Sequence, residues 1–234
     1  ETLSVAGGKL KPVKYTLNEI KNREKLYLNS LIKKSKDYAK GPITQNKKAV
    51  ILIGLPASGK SHFAEKIAAK TQSALVDSDD AKKILPDFGT GLGANAVSNE
   101  SSLLSQKVLQ SHVEIGNNLV IPKVGMTAKY KSIAGLIDNL RNNYDYDVDI
   151  ILVDADFNSA IQRVLNRFLD TGRYIPSSYL IDVENTPRDT YNNLKADYGN
   201  LLEYAFIDNN FDIGEQLVEE DTSGSYQYLG ERRR

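Results

Sequence analysis

The sequence predicts a three-layer α/β domain with a mostly parallel five-stranded sheet, and three observations carry that prediction. Short apolar runs of strand length alternate with amphipathic helical stretches between residues 49 and 207. The run Ala49–Ile53 is apolar at every position, as a strand covered on both faces requires. It passes directly into Gly54-Leu55-Pro56-Ala57-Ser58-Gly59-Lys60-Ser61, the G-x-x-x-x-G-K-S spacing of a phosphate-binding loop. Gly54 and Gly59 let the backbone curl, so that successive N–H groups through Ala57 and Ser58 point inward at phosphate oxygens. Lys60 sets a point charge on the β/γ-phosphates, and the Ser61 hydroxyl is placed to ligate Mg²⁺. The helix that follows aims its positive end at the same anion.

Taken in order, residues 1–15 hold Gly7, Gly8 and Pro12 and no period, so they read as an arm or linker. A helix is expected from Thr16 to about Lys40, with Thr16 and Glu19 in the spacing of a capping box and Gly41-Pro42 as the stop. Its many lysines read as a solvated face, or else as a surface that contacts a partner or covers the nucleotide site. After the loop, a helix at 60–70 buries Phe63, Ala64, Ile67 and Ala68. Ala74–Asp77 is a short strand ending in Asp77-Ser78-Asp79-Asp80, where parallel sheets present groups to ligands. Asp77 and Asp80 suit the capping of the next helix, at 79–85, while Asp79 is the candidate for chemistry. Residues 86–97 hold three glycines in five positions but no G-x-G-x-x-G, and read as a loop. The helix from Ser98 to Gly116 carries Glu100 in its first turn, suited either to the helix N–H groups or to a ligand hydroxyl.

A third strand at 118–122 leads into the loop Lys123–Thr127, a helix at 127–141 and a fourth strand at 147–153. The helix at 157–171 shows a continuous apolar stripe from Phe157 to Leu169, with Arg163 and Arg167 on the other side. Arg173 follows just past its end. Three arginines on a helix–loop–helix are either a solvated basic face or a lid that clamps a transferring phosphoryl group. Residues 177–197 are expected to be mostly helical, and Ala205–Ile207 is the last strand, with Asn209 at its carboxyl end. The polar tail from Glu219 is expected to be poorly ordered. The organisation expected is thus an arm and helix at 1–45, the catalytic domain at 46–218 and a tail at 219–234. The ends, at Glu1 and Arg234, suggest a domain cut or processed from something larger.

Composition narrows the classes. Thirty Lys and Arg balance thirty Asp and Glu, which argues against a dedicated nucleic-acid binder. The absence of cysteine rules out disulfides, thiolate metal sites and a cysteine nucleophile, and fits a cytoplasmic setting. No apolar run is long enough to span a membrane, and no signal peptide is visible. His62 and His112 lack acidic ligand spacing, so no structural zinc site is expected, and no G-x-S-x-G elbow supports a serine hydrolase.

Five stretches in this order, Gly54–Ser61, Val76–Pro86, Gly93–Glu100, Gly116–Val124 and Ala160–Pro176, resemble the zeta toxin family of P-loop kinases over roughly residues 49–210. The resemblance implies a P-loop kinase fold with a helical lid. It also implies ATP and Mg²⁺, and phosphorylation of the 3′-hydroxyl of the amino sugar in UDP-N-acetylglucosamine or a related UDP-sugar. It assigns Lys60 to the phosphates, Ser61 to Mg²⁺, Asp79 to the base and Glu100 to the sugar nucleotide. Arg163 and Arg173 match the lid arginines on the ATP phosphates, Arg167 matches more loosely, and Asn209 lies where the last strand approaches the adenine. The family often has Thr in a Gly-Thr pair after the third strand. Here the chain reads Lys123-Val124-Gly125, and Val124 has no hydrogen-bonding side chain, which turns attention to Lys123 and Thr127 as substrate contacts. An antitoxin protein is an implied partner, or the 16–40 helix could block the nucleotide site from within the chain. The competing readings are a polynucleotide 5′-kinase and a non-catalytic nucleotide-binding module of a larger phage or mobile-element protein.

Overall fold

The computed structural model describes residues 2–6, 9–13, 17–89, 93, 97–171, 175, 177–210 and 216–230. Its centre is a six-stranded sheet in the order β4-β5-β3-β6-β7-β8. The phosphate-loop strand β3 (Lys48–Ile53) lies between β5 (Leu119–Lys123) and β6 (Asp147–Asp154). The outer members are β4 (Ala74–Leu75), β7 (Glu203–Asp208) and β8 (Leu217–Asp221). All pairings are parallel except β7 with β8. The expected count of five is therefore corrected to six. The strand that was missed holds one apolar pair, Leu217-Val218, followed by Glu219-Glu220-Asp221, too short and too polar to announce itself.

Alternation along the strands builds two cores. Ile51 and Ile53 face α1 (Leu17–Asp37), α3 (Ser78–Ile84), α4 (Ser98–Val113), α5 (Tyr130–Asp138) and α8 (Thr186–Tyr198), packing with Leu31, Ala81, Leu104, Ile137 and Leu194. Val50 and Leu52 face α2 (Lys60–Thr71), where Phe63, Ala64, Ile67 and Ala68 are buried as the sequence predicts. Tyr226 and Leu229, from the expected tail, close this second core. The Tyr226 hydroxyl donates to the buried Asp149, whose other partner is the Lys48 ammonium at 2.9 Å. The segment after Gln216 is thus built into the domain, which corrects the expectation of a poorly ordered tail.

Two further elements depart from the sequence reading. Residues Thr2–Ala6 (β1) and Lys9–Val13 (β2) pair as an antiparallel hairpin where an arm or linker was expected. The expected 127–141 helix is a 3₁₀ turn at Thr127–Lys129, then α5, then a π-helical turn at Asn139–Asn143. The segment 177–197 is mostly helical as expected, in two pieces, α7 (Ser177–Val183) and α8, because Pro187 in the first turn of α8 lacks an N–H and starts a new helix. The capping box proposed at Thr16 and Glu19 lies outside the described side chains.

The helix α1 is a wall of the domain. Leu31 is buried, Lys34 and the Tyr38 hydroxyl reach Asp80 at 2.9 and 2.8 Å, and Arg23 pairs with Asp87 at 3.6 Å. Ser35 meets His112 of α4 at 2.7 Å. These anchors lie on α3, α4 and the turn after α3. A blocking role over the nucleotide site is corrected accordingly: α1 docks through its apolar face at the β4 edge of the sheet, away from the phosphate loop. Among the described residues, no helix is long and apolar enough to cross a membrane.

Candidate functional site

The loop between β3 and α2 has the geometry of an anion cradle. Ala57 and Gly59 both have positive φ, 61° and 97°, which turns consecutive N–H groups toward one side. Gly54 is sterically required: a Cβ there would lie 2.3 Å from the Val153 carbonyl oxygen and 2.7 Å from Ser58 Oγ. Ser58 is fully buried, and the Ser61 hydroxyl is exposed in the first turn of α2. The Lys60 ammonium folds back to donate to the carbonyls of Gly54, at 2.8 Å, and Leu55.

Asn209, just past β7, braces this loop. Its Nδ2 donates to the Ser58 carbonyl at 2.7 Å, and its own N–H donates to Asp154 at 2.9 Å. Arg163 of α6 (Phe157–Thr171) donates through Nη2 to the Asn209 carbonyl at 2.9 Å. The Nη1 of Arg163 is buried without a hydrogen-bond partner, a donor that a phosphate oxygen would satisfy. The strand order thus joins three parts of the chain, 54–61, 163 and 209, that lie far apart in sequence. Arg167 is half-buried one turn further along α6, and Arg173 lies outside the described residues. The expected apolar stripe of α6 is only half used: Ala160 and Val164 are buried, while Leu165, Phe168 and Leu169 are exposed. The second half of α6 therefore projects from the body, with Arg163 turned toward the phosphate loop.

On the other face of the sheet stand the carboxylates. Asp77 caps α3, accepting from the Asp79 N–H at 2.9 Å. Burial first, and then the charge of Asp79, push the Asp77 carboxyl up to about 6. Asp79 lies in the first turn of α3, 3.4 Å from the Lys82 ammonium. Asp80, expected as a cap, is buried and holds α1 instead. Glu100, in the first turn of α4, is half-buried and makes no hydrogen bond among the described residues.

Lys123 ends β5, in register with Ile53 immediately before the phosphate loop. Burial lowers its pKa, and the Asp77 charge partly restores it. Thr127 is exposed and its hydroxyl donates to the Thr186 carbonyl at 3.3 Å, tying the loop after β5 to the start of α8.

One residue escaped the sequence reading. Tyr179 of α7 packs, as Val124, Met126 and Phe157 do, against the buried cluster of Leu55, Ala160 and Val183, and lies close enough to Asp79 for that charge to raise its hydroxyl pKa after burial does. Nothing in the Ser177–Val183 pattern marks it. Only the fold of α7 over the loop after β5 places an aromatic beside Asp79.

For Mg²⁺, no group of three or more His, Asp or Glu side chains gathers among the described residues. The Ser61 hydroxyl with phosphate oxygens and water is still a fitting donor set, since Mg²⁺ retains water and shares ligands with substrate phosphates.

The comparisons with known proteins agree with this arrangement. The family model described as Zeta toxin matches residues 31–212. Among solved structures, a chain of the PezAT chromosomal toxin-antitoxin system of Streptococcus pneumoniae superposes with a TM-score of 0.62 at 16% identity, over 83% of this chain and 78% of that one. The AvrRxo1-ORF1:-ORF2 structure with ATP gives 0.62 at 18% identity, over 86% and 66%. A chain of the Pnkp1/Rnl/Hen1 RNA repair complex gives 0.52 at 21% identity, over 66% and 48%. At such identities the structural likeness speaks for an α/β P-loop kinase-like fold. No curated protein matches by sequence.

Proposed function

The chain belongs to the zeta toxin family and is a kinase-type phosphotransferase, and from that premise we propose that it carries a phosphoryl group from ATP to the 3′-hydroxyl of the amino sugar in UDP-N-acetylglucosamine or a related UDP-sugar. One observation supports this reading above the others. The phosphate loop has a cationic donor, Arg163, on one side and the carboxylates Asp79 and Glu100 on helices of the opposite face. A site that only binds nucleotide needs the first side; a site that moves a phosphoryl group to a second molecule needs both.

In this reading the loop N–H groups of 54–60 cradle the ATP phosphates, and the Lys60 ammonium exchanges its backbone carbonyls for phosphate oxygens. Ser61 holds Mg²⁺, which neutralises phosphate charge when bound. The unpaired Nη1 of Arg163 stabilises the charge spread over the equatorial oxygens of the transferring group, with Arg167 and Arg173 as further lid cations. Asp79 accepts the proton of the acceptor hydroxyl. Its pKa need not be raised, because in a loose transition state the proton leaves late. Glu100 accepts from other hydroxyls of the acceptor, and Lys123 and Thr127 flank the same pocket. Asn209 shapes the loop next to the nucleotide. The catalytic unit read as residues 46–218 extends through the tail, since Tyr226 and Leu229 close its second core.

An antitoxin protein completes this reading as partner, supported by the likeness to a toxin-antitoxin chain. A cytoplasmic location follows from the nucleotide substrates. The test is ADP release that depends on UDP-N-acetylglucosamine. Asp79→Ala lowers it about 10²–10⁴-fold with ATP binding intact; turnover that survives removes Asp79 as base. Transfer to a 5′-hydroxyl oligonucleotide instead would make the enzyme a polynucleotide kinase, and ATP binding without transfer to either would make it a binding module.

A further inference from the structure

The first turn of α8 is pinned against the root of the phosphate loop. Gly125, just after β5, has φ 80°, and a Cβ built there would lie 2.9 Å from Ile53 Cβ and 3.5 Å from Pro187 Cα. The bare glycine lets Pro187 close over Ile53, the last residue of β3 before Gly54. Pro187 is buried, and the Thr127 hydroxyl donates to the neighbouring Thr186 carbonyl, so the backbone of this turn is fixed. Arg188 comes next, and its guanidinium donates to the carboxylate of Asp154, which ends β6.

Asp154 itself adjoins the loop. The carbonyl oxygen of Val153 would lie 2.3 Å from a Gly54 Cβ, and the Asp154 carbonyl accepts from Asn209, whose side chain braces Ser58. Ile150 and Leu152 belong to the core beneath α8, so alternation puts the Asp154 side chain on that face, the one that carries Asp79 and Glu100. Arg163 reaches the loop from the other direction, through Asn209. Two guanidinium groups therefore flank the loop, and only Arg163 was marked by the sequence.

The Arg188–Asp154 pair is lopsided: the carboxylate side chain is 14% exposed and the arginine side chain 60%. An arginine that lies mostly in water is held weakly and loses little on leaving. A phosphoryl group offers more charge than one carboxylate, and its oxygens match the guanidinium fork.

We propose that Arg188 is a second phosphate-binding arginine: it exchanges Asp154 for the γ-phosphate of the bound triphosphate on the acceptor side of the loop. This rests on ATP as the phosphoryl donor and adds a contact that tells ATP from ADP.

The test is calorimetric titration, in Mg²⁺, with ADP and with the non-hydrolysable analogue adenylyl imidodiphosphate. Arg188→Gln weakens the triphosphate at least about tenfold and ADP less than about twofold. Arg188→Lys, which keeps the charge without the fork, shows part of the same difference. Asp154→Asn removes the competing carboxylate and binds the triphosphate at least as tightly as the wild type. A pair that merely latches α8 to the sheet gives another pattern, with both nucleotides weakened alike and Asp154→Asn as damaging as Arg188→Gln. That pattern, or an unchanged triphosphate affinity in Arg188→Gln, overturns the proposal and leaves ATP as donor standing. A wild-type protein that binds neither nucleotide removes ATP as donor, and the role of Arg188 with it.

Discussion

Gly59→Ala is the sharpest test of how the phosphate loop is held. Gly59 has φ 97° and ψ 2°, and a Cβ built there lies 2.5 Å from Asn209 Nδ2. Two costs arise together. Holding a residue with a Cβ at this positive φ costs about 1–3 kcal/mol. Displacing Asn209 removes its bond to the Ser58 carbonyl, worth about 1 kcal/mol. The loop escapes by leaving its cradle geometry, so the loss appears in ATP binding more than in global stability. A combined cost of about 2–4 kcal/mol corresponds to a fall in ATP affinity of roughly 30- to several-hundred-fold. The assay is calorimetric titration with Mg-ATP, alongside thermal unfolding of the free protein. Asn209→Gly separates the two costs, because it clears the space without easing the backbone. Since Gly59→Ala already breaks the brace, the double variant binds ATP about as weakly as Gly59→Ala alone, a non-additivity of about 1 kcal/mol. ATP binding within twofold of wild type in Gly59→Ala, or strict additivity in the cycle, would refute the reasoning.

Two further outcomes concern stability. His112 is buried; Asn117 Nδ2 donates to its Nδ1 at 2.8 Å, which leaves Nε2–H to donate to Ser35. Burial, and then Lys36, lower its pKa from 6.5 to about 4. The folded state therefore binds fewer protons than the unfolded state between those values. The stability this contributes is complete above pH 6.5 and is lost as pH falls toward 4, by at most about 3 kcal/mol. Urea midpoints from pH 7 to 4 check this, with a shallower fall expected in His112→Gln. Tyr226→Phe deprives the buried Asp149 carboxylate of one donor and costs about 1–3 kcal/mol in urea unfolding, with little change in ATP affinity.

The phosphate loop was legible because its residues are contiguous and its chemistry is local. Gly54, Gly59, Lys60 and Ser61 specify a backbone path and two ligands within eight positions. The two buried sheet faces were legible for a related reason, since the unbroken apolar run Ala49–Ile53 and period 3.6 along α2 report burial directly. Asp77 read correctly as a cap because capping is also a local event. Asp80 did not, because its partners Lys34 and Tyr38 lie more than forty residues upstream. The hairpin at the start and β8 at the end were missed since short half-exposed edge strands carry little pattern.

By itself, the chain determined that a nucleotide phosphate is bound on an α/β sheet, and it marked Asp79, Glu100 and Arg163 as the groups around it. Only the tertiary structure decided which of them meet. Strand order β4-β5-β3-β6-β7 puts Asn209 and Arg163 against the loop from one side and the Asp79 and Glu100 helices on the other. It also turned the solvated-looking α1 into a wall and left the outer half of α6 bare. Such outcomes depend on which surfaces are brought together through space, and a side chain's desolvation and its partners are properties of that assembly and not of its neighbours in sequence.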